Sequence, residues 1–164
     1  MSPGSSSVAR RRRRLATEIK DLLRQLSNEL SLLNHQVGTH LELKDVDLDC
    51  FELISRYGPM SPSSVARRAG LHPATMTGVL DRLQRGGWIT RERDPEATDR
   101  RAVTLRALRD RNAEVFHLYS GMNSTMDDVL ADYSEGDLEL LVGFLQRTTT
   151  AGQSATATLA EAEV

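Results

Sequence analysis

The chain has 164 residues, 39% of them hydrophobic, enough for one domain with a real core. No apolar run approaches the length of a membrane helix, and no apolar stretch follows the N-terminal arginines, so neither a transmembrane segment nor a secretory signal is expected. A single cysteine, Cys50, excludes an internal disulfide and suits a reducing cytosol, so a cytoplasmic location is expected.

The net charge of −2 hides an asymmetry. Residues 1–55 carry 8 basic and 8 acidic side chains, residues 56–101 carry 9 and 5, and residues 110–164 carry 2 and 10. Positive charge is therefore concentrated in the middle of an otherwise acidic chain, which fits either a polyanion partner or an ordinary solvated face.

Residues 1–14 read as a disordered basic arm. Arg10 to Arg14 are five consecutive arginines, a self-repelling block that either touches phosphate or stays a solvated arm. From Leu15 the pattern changes. Leu15, Ile19, Leu22, Leu26, Leu30, Leu33, Val37 and Leu41 recur at steps of three and four, one apolar stripe on a long helix assigned to residues 15–45. Leu23 and Leu32 widen that stripe, as expected of a helix that packs against a second copy of itself or lies in a monomer core.

Residues 46–108 form the next region. Asp47 to Tyr57 is a helix that points Leu48, Phe51 and Ile54 inward, and Gly58-Pro59 stops it. Ser61 is placed as an N-cap with Pro62 at the first helical position. Val65, Ala66 and Ala69 face the core, and Gly70 suits a left-handed residue at a tight turn. His72-Pro73 opens a further helix that buries Met76, Val79, Leu80 and Leu83 and ends at Gly86-Gly87. Trp88 to Arg93 and Arg101 to Arg106 are strands around a polar loop, Asp94 to Asp99.

The last region, 109–150, holds a helix from Asp110 to Tyr133 carrying Val115, Phe116, Leu118, Tyr119, Met122, Met126, Val129 and Leu130. A final helix is capped by Ser134 and Asp137 and buries Leu138, Leu141, Phe144 and Leu145. Residues 151–164 are expected to fray.

Helix, tight turn, helix and basic hairpin make a shape for duplex DNA. The second helix of such a pair lies in the major groove, and its early residues reach base edges. Here those are His72, Pro73, Ala74, Thr75, Thr77 and Gly78. The threonines offer hydroxyls and methyls, while Gly78 allows close backbone approach. Arg82 and Arg85 are placed as phosphate clamps, and Ser61, Ser63 and Ser64 as further phosphate contacts. Arg91, Arg93, Arg100 and Arg101 make the hairpin a minor-groove probe, with Asp94 and Asp99 near enough to hold Arg100 or Arg101. A charged turn without function is the competing reading of that hairpin.

The segment LHPATMTGVLDRLQRGGWITRERDPEATDRRAVTL resembles the recognition helix and wing of the MarR family of winged helix-turn-helix transcriptional regulators. Asp94-Pro95, Asp99-Arg100-Arg101 and Asp81-Arg82-Leu83 carry the likeness, and the order of elements over residues 15–147 matches the family layout. Two features depart from it: Leu105 to Asp110 lacks the usual Thr-x-x-Gly turn, and Gly78 stands where many members have a larger polar residue. The resemblance implies a mainly α fold with a small β wing, the winged domain flanked by long dimerisation helices. It implies a homodimer that binds a pseudo-palindromic operator in double-stranded DNA and represses genes near its own, with release by a small phenolic or aromatic effector, a metal or cysteine oxidation.

For an effector, His35, His40, Phe51, Tyr57, Phe116, His117 and Tyr119 are the polar or aromatic candidates, with His35, Phe51, Tyr57 and His117 foremost; each also reads as packing or surface. Cys50 lies among Asp47, Asp49 and Glu52, which raise a thiol pKa, so it reads as structural rather than as a redox sensor. The four histidines offer no H-x-x-x-H pair, so no metal site and no cofactor are expected. No glycine-rich phosphate loop or nucleophile–base pair supports an enzyme. A winged helix that binds protein instead of DNA is the remaining alternative, and the arginines of the wing argue against it.

Overall fold

The computed structural model describes residues 3–93 and 103–162, with side chains from residue 7 to residue 160. Its elements are α1 (Pro3–His40), α2 (Asp45–Tyr57), α3 (Pro62–Ala69), α4 (Pro73–Arg85), β1 (Ile89–Arg93), β2 (Val103–Ala107), α5 (Arg109–Leu118), α6 (Ser120–Ala131) and α7 (Glu135–Ala162). This is the expected fold class, mainly helical with a two-stranded antiparallel wing. The chain divides into two compact units, Met1–Asp49 and Cys50–Val164.

In the first unit α1 begins at Pro3, not near Leu15, so the arginine run is helical and not a disordered arm. Alanine, serine and arginine carry little helix penalty, and Pro3 stands at the helix start, where its missing N–H costs nothing. Arg10 to Arg14 are exposed. The apolar stripe changes character along the helix: Val37 and Leu41 are buried, but Leu15, Ile19, Leu22, Leu26 and Leu30 lie open. The turn after α1 closes through the Leu43 N–H, which donates to the Gly38 carbonyl at 2.8 Å. A Cβ on Gly38 would come 3.1 Å from the Leu43 carbonyl, which accounts for a glycine there.

The second unit has the main core. Phe51, Ile54, Val65, Met76, Val79, Leu80, Leu83, Ile89 and Leu105 are fully enclosed, joined by Trp88 and Val115. Helical spacing assigns Phe51, Ile54, Val65, Met76, Val79, Leu80 and Leu83 inward, while the enclosure of Trp88 and Ile89 comes from the fold. Strand register runs from Ile89 opposite Ala107 to Arg93 opposite Val103. Met60 adds a single bridge to Leu105, its N–H donating to the Leu105 carbonyl (3.1 Å) and the Leu105 N–H returning the bond (2.8 Å). The entry to α3 is thereby tied to the wing.

Two expectations need correction. The helix expected from Asp110 to Tyr133 is broken into α5 and α6 at Tyr119, where the Ser120 hydroxyl donates to the His117 carbonyl at 2.6 Å. The final helix does not fray at residue 151 but continues to Ala162. Its start is as expected: the Ser134 N–H donates to Asp137 Oδ2 (3.2 Å) and the Asp137 N–H donates back to Ser134 Oγ (3.3 Å), a reciprocal capping box. The face expected to be buried is not covered in a single chain. Leu145 is exposed, Leu138, Leu141 and Phe144 are half-buried, and Phe116, Val129 and Leu130 are also open.

Candidate nucleic-acid interface

Ser61 caps α3 as its residue type predicts. Its backbone is extended (φ −75°, ψ 154°), and its hydroxyl oxygen accepts from the Ser64 N–H at 3.2 Å. Ser63 and Ser64 complete a hydroxyl cluster, with Oγ–Oγ separations from Ser61 of 3.1 and 2.9 Å. The three serines are thus brought together at the start of α3. Gly70 closes that helix in the left-handed region (φ 65°), its N–H turned back to the last carbonyls.

α4 follows after three residues, Gly70 to His72. Its buried face is Met76, Val79, Leu80 and Leu83, while Pro73, Ala74, Thr75 and Thr77 are exposed. Those packed residues fix the helix in the lobe and leave the first turn and a half open to a partner. His72 is the N-cap: its Nδ1 accepts from the Ala74 N–H at 3.2 Å. Thr77 is less available than its type implies, because its hydroxyl donates to the Pro73 carbonyl at 3.1 Å. It keeps a methyl group and acceptor capacity for the groove; Thr75 is the freer of the two. A Cβ on Gly78 would meet only Arg82 Nη1, at 3.5 Å, so this glycine leaves room for the Arg82 guanidinium and is not demanded by the fold. Arg85 turns back along the helix, its Nε donating to the Asp81 carbonyl at 3.2 Å.

The wing strands carry alternating charge. Arg91 does not stand free: its Nη2 donates to Asp81 Oδ1 at 2.6 Å, joining β1 to α4. Arg106 pairs with Glu92 at 3.0 Å across the ribbon. Arg93 is exposed and has no ion-pair partner among the described residues. Asp99, Arg100 and Arg101 lie outside the described residues, as does Asp94. Sequence reasoning missed the role of Asp81. In the sequence it carries the family likeness as part of Asp81-Arg82-Leu83, and the fold adds its partner ten positions away.

The effector candidates stand in different surroundings. Phe51 is a core residue, 1% exposed, its ring centroid 5.2 Å from that of Trp88 in an edge-on contact. His35 is engaged by Asp45, with Nδ1 3.0 Å from Oδ1. Tyr57 is exposed beneath the Arg68 guanidinium, 4.3 Å from the ring centroid. His117, Phe116 and His40 are exposed, and Tyr119 is half-buried. Cys50 is completely buried, which fits the structural reading of its thiol. No group of three or more metal-ligating side chains occurs among the described residues, and no described helix is long and apolar enough to cross a membrane.

A helix-turn-helix with an open leading face, continued by an antiparallel ribbon ion-paired to it, defines a winged helix-turn-helix DNA-binding domain. Residues 43–103 match the model of the MarR family. Over 124 residues the chain is 28% identical to YcgE, a helix-turn-helix transcriptional regulator of Bacillus subtilis, covering 76% of this chain and 79% of that one. It is 29% identical over 86 residues to the B. subtilis transcriptional repressor YetL, covering 52% of this chain and 50% of that one. In fold it resembles Streptococcus pneumoniae FabT, solved in complex with DNA, with a TM-score of 0.67, 17% identity and coverage of 85% and 99%. Over residues 43–103 the chain resembles the MarR family, and over most of its length it resembles helix-turn-helix transcriptional regulators.

Proposed function

We propose that this protein is a homodimeric, sequence-specific repressor that binds a pseudo-palindromic operator and is released by a small aromatic or phenolic effector. The observation that carries the DNA reading is the open outer face of α4, with Pro73, Ala74, Thr75 and Thr77 exposed over a fully packed inner face. Ser61, Ser63 and Ser64 flank it with hydroxyls suited to phosphate, and Arg82, Arg85 and Arg93 add positive charge. In the same reading Arg100 and Arg101 place cations in the minor groove, with Asp99 orienting them.

The dimer reading is supported by apolar side chains that one chain leaves open: Leu15, Ile19, Leu22, Leu26 and Leu30 in the first unit, and Val129, Leu130, Leu140 and Leu145 in the second. Such faces are costly to leave in water. Repression is supported by the likeness to the repressor YetL. The effector reading rests on the family resemblance, with Tyr57, Phe116 and His117 the exposed candidates in the second unit.

The test is a footprint over the DNA upstream of its own gene, repeated with aromatic acids and phenols. Two protected half-sites about one helical turn apart, lost on adding an effector, are the expected result. Protection of a single site, or none, would remove the dimeric operator reading.

A further inference from the structure

The cap at the start of α4 decides which proton His72 carries. Its Nδ1 accepts the Ala74 N–H at 3.2 Å, and an acceptor nitrogen has no hydrogen. The neutral ring therefore bears its proton on Nε2. Among the described residues no group takes up Nε2, and the side chain is exposed at the head of the helix whose first residues face the major groove. The hydrogen bond that begins the helix thus converts an ambivalent side chain into a fixed donor with a fixed ring orientation.

A donor-only probe has a base preference that follows from the groove pattern. Guanine presents two acceptors there, N7 and O6. Adenine presents N7 beside an N6–H donor, thymine presents O4 beside its methyl group, and cytosine presents only its N4–H donor, so guanine is the base with two acceptors and no donor at that edge. A histidine free to exchange tautomers would accept from adenine or cytosine as readily as it donates to guanine, whereas the capped ring does not accept. We propose that His72 is a specificity-determining residue that donates from Nε2 to N7 of a guanine in each half-site. This rests on the DNA-binding reading above and adds to it a named base and a named atom. Neighbouring Pro73 and Ala74 have no side-chain donor to offer and Thr77 has committed its own, which leaves Thr75 as the other side-chain donor of that turn.

The experiment is selection of bound duplexes from a random pool by the full-length protein and by His72→Ser. Serine is a good N-cap, so this variant keeps the helix start and removes the reaching donor. The expected result is a guanine at one symmetric position of the wild-type consensus, with the preference lost at that position alone in His72→Ser. Placing 7-deazaguanine there is expected to weaken wild-type binding about five-fold, the scale of one neutral hydrogen bond, and to leave His72→Ser unaffected. The same consensus from both proteins would overturn the proposal. So would a penalty from a neutral methylphosphonate, larger for wild type than for His72→Ser, without one from 7-deazaguanine, since that assigns His72 to phosphate. If the wild-type protein enriches no sequence at all, the operator reading fails, and the base contact fails with it.

Discussion

The guanidinium of Arg111 lies over the indole of Trp88, with Cζ 4.5 Å from the ring centroid. The same group donates from Nη2 to the Gly86 carbonyl at 3.2 Å and from Nη1 to Glu114 at 2.7 Å. One residue at the start of α5 thereby joins the turn between α4 and β1, and Ser55 extends the joint by donating to Asn112 at 2.8 Å. Gly86 belongs to this arrangement because a Cβ there would stand 2.7 Å from Trp88 Cδ1.

Disassembling that joint should cost stability in a graded order. Trp88→Ala removes a side chain only 5% exposed and is expected to cost about 3–5 kcal/mol. Gly86→Ala overpacks the indole and is expected to cost about 1–3 kcal/mol. Arg111→Ala loses a cation–π contact, a hydrogen bond to the Gly86 carbonyl and an ion pair with Glu114, about 1–2 kcal/mol together. Urea unfolding at unchanged m would give the order directly. If Arg111→Ala proved as costly as Trp88→Ala, the arginine would have a role that its contacts do not account for.

The Asp81–Arg91 pair makes a prediction about salt rather than stability. Both side chains are substantially exposed, so Asp81→Asn should change the unfolding free energy by less than about 1 kcal/mol. It should also release Arg91 toward phosphate. The slope of log K against log salt for non-specific duplex DNA would then steepen by about 0.9 for each added phosphate contact, one per protomer. An unchanged slope would mean that Arg91 already reaches the backbone while paired to Asp81.

The elements that position this site were legible because their boundaries rest on local chemistry. Ser61-Pro62, Gly70, Pro73 and Gly86-Gly87 each mark a helix end by a backbone requirement that one residue type meets. What was not legible depends on contacts between distant positions or on a residue in an uncommon role. Histidine is a rare N-cap, so His72 read as a base contact alone. The break at Tyr119 lies within an unbroken apolar periodicity, where the Ser120 hydroxyl donates to the His117 carbonyl. Phe51 reads as an effector candidate by its aromatic type and as a core residue by periodicity; the fold sets it against Trp88, thirty-seven positions on, a contact that periodicity does not name.

Asp49 gives a pH dependence of defined sign. Burial first, and the Asp45 carboxylate second, raise its carboxyl pKa above the ordinary value. The folded state therefore holds this proton more tightly than the unfolded state does. Its favourable contribution is complete below the unfolded pKa of about 3.9 and is lost as pH rises through the higher folded value. At neutral pH the charged carboxylate is a small liability, held below about 1 kcal/mol by solvent screening. Asp49→Asn should then melt higher than wild type at pH 7, with the gap closing in acid. A variant less stable at pH 7 would show that the carboxylate makes a compensating contact.

The open stripe on α1 yields the prediction that bears most directly on assembly. Leu22 and Leu26 are 56% and 45% exposed in one chain, one helical turn apart, on the face that also carries Leu15, Ile19 and Leu30. If a second copy covers that face, replacing both leucines by glutamate puts unpaired charge in an apolar interface, a cost of several kcal/mol that the partner cannot offset. If nothing covers it, the same change only improves solubility. Light scattering on the eluted peak should therefore show a dimer for wild type and a folded monomer for Leu22→Glu/Leu26→Glu. The lobe core of Phe51, Trp88 and Leu105 is remote in sequence from both substitutions and should keep its near-ultraviolet signature. Operator affinity should fall steeply while binding to a single half-site is retained, because each lobe still folds but the two are no longer held at a fixed spacing. A wild-type chain that elutes as a monomer, or a double variant that stays dimeric, would place the dimer contact elsewhere.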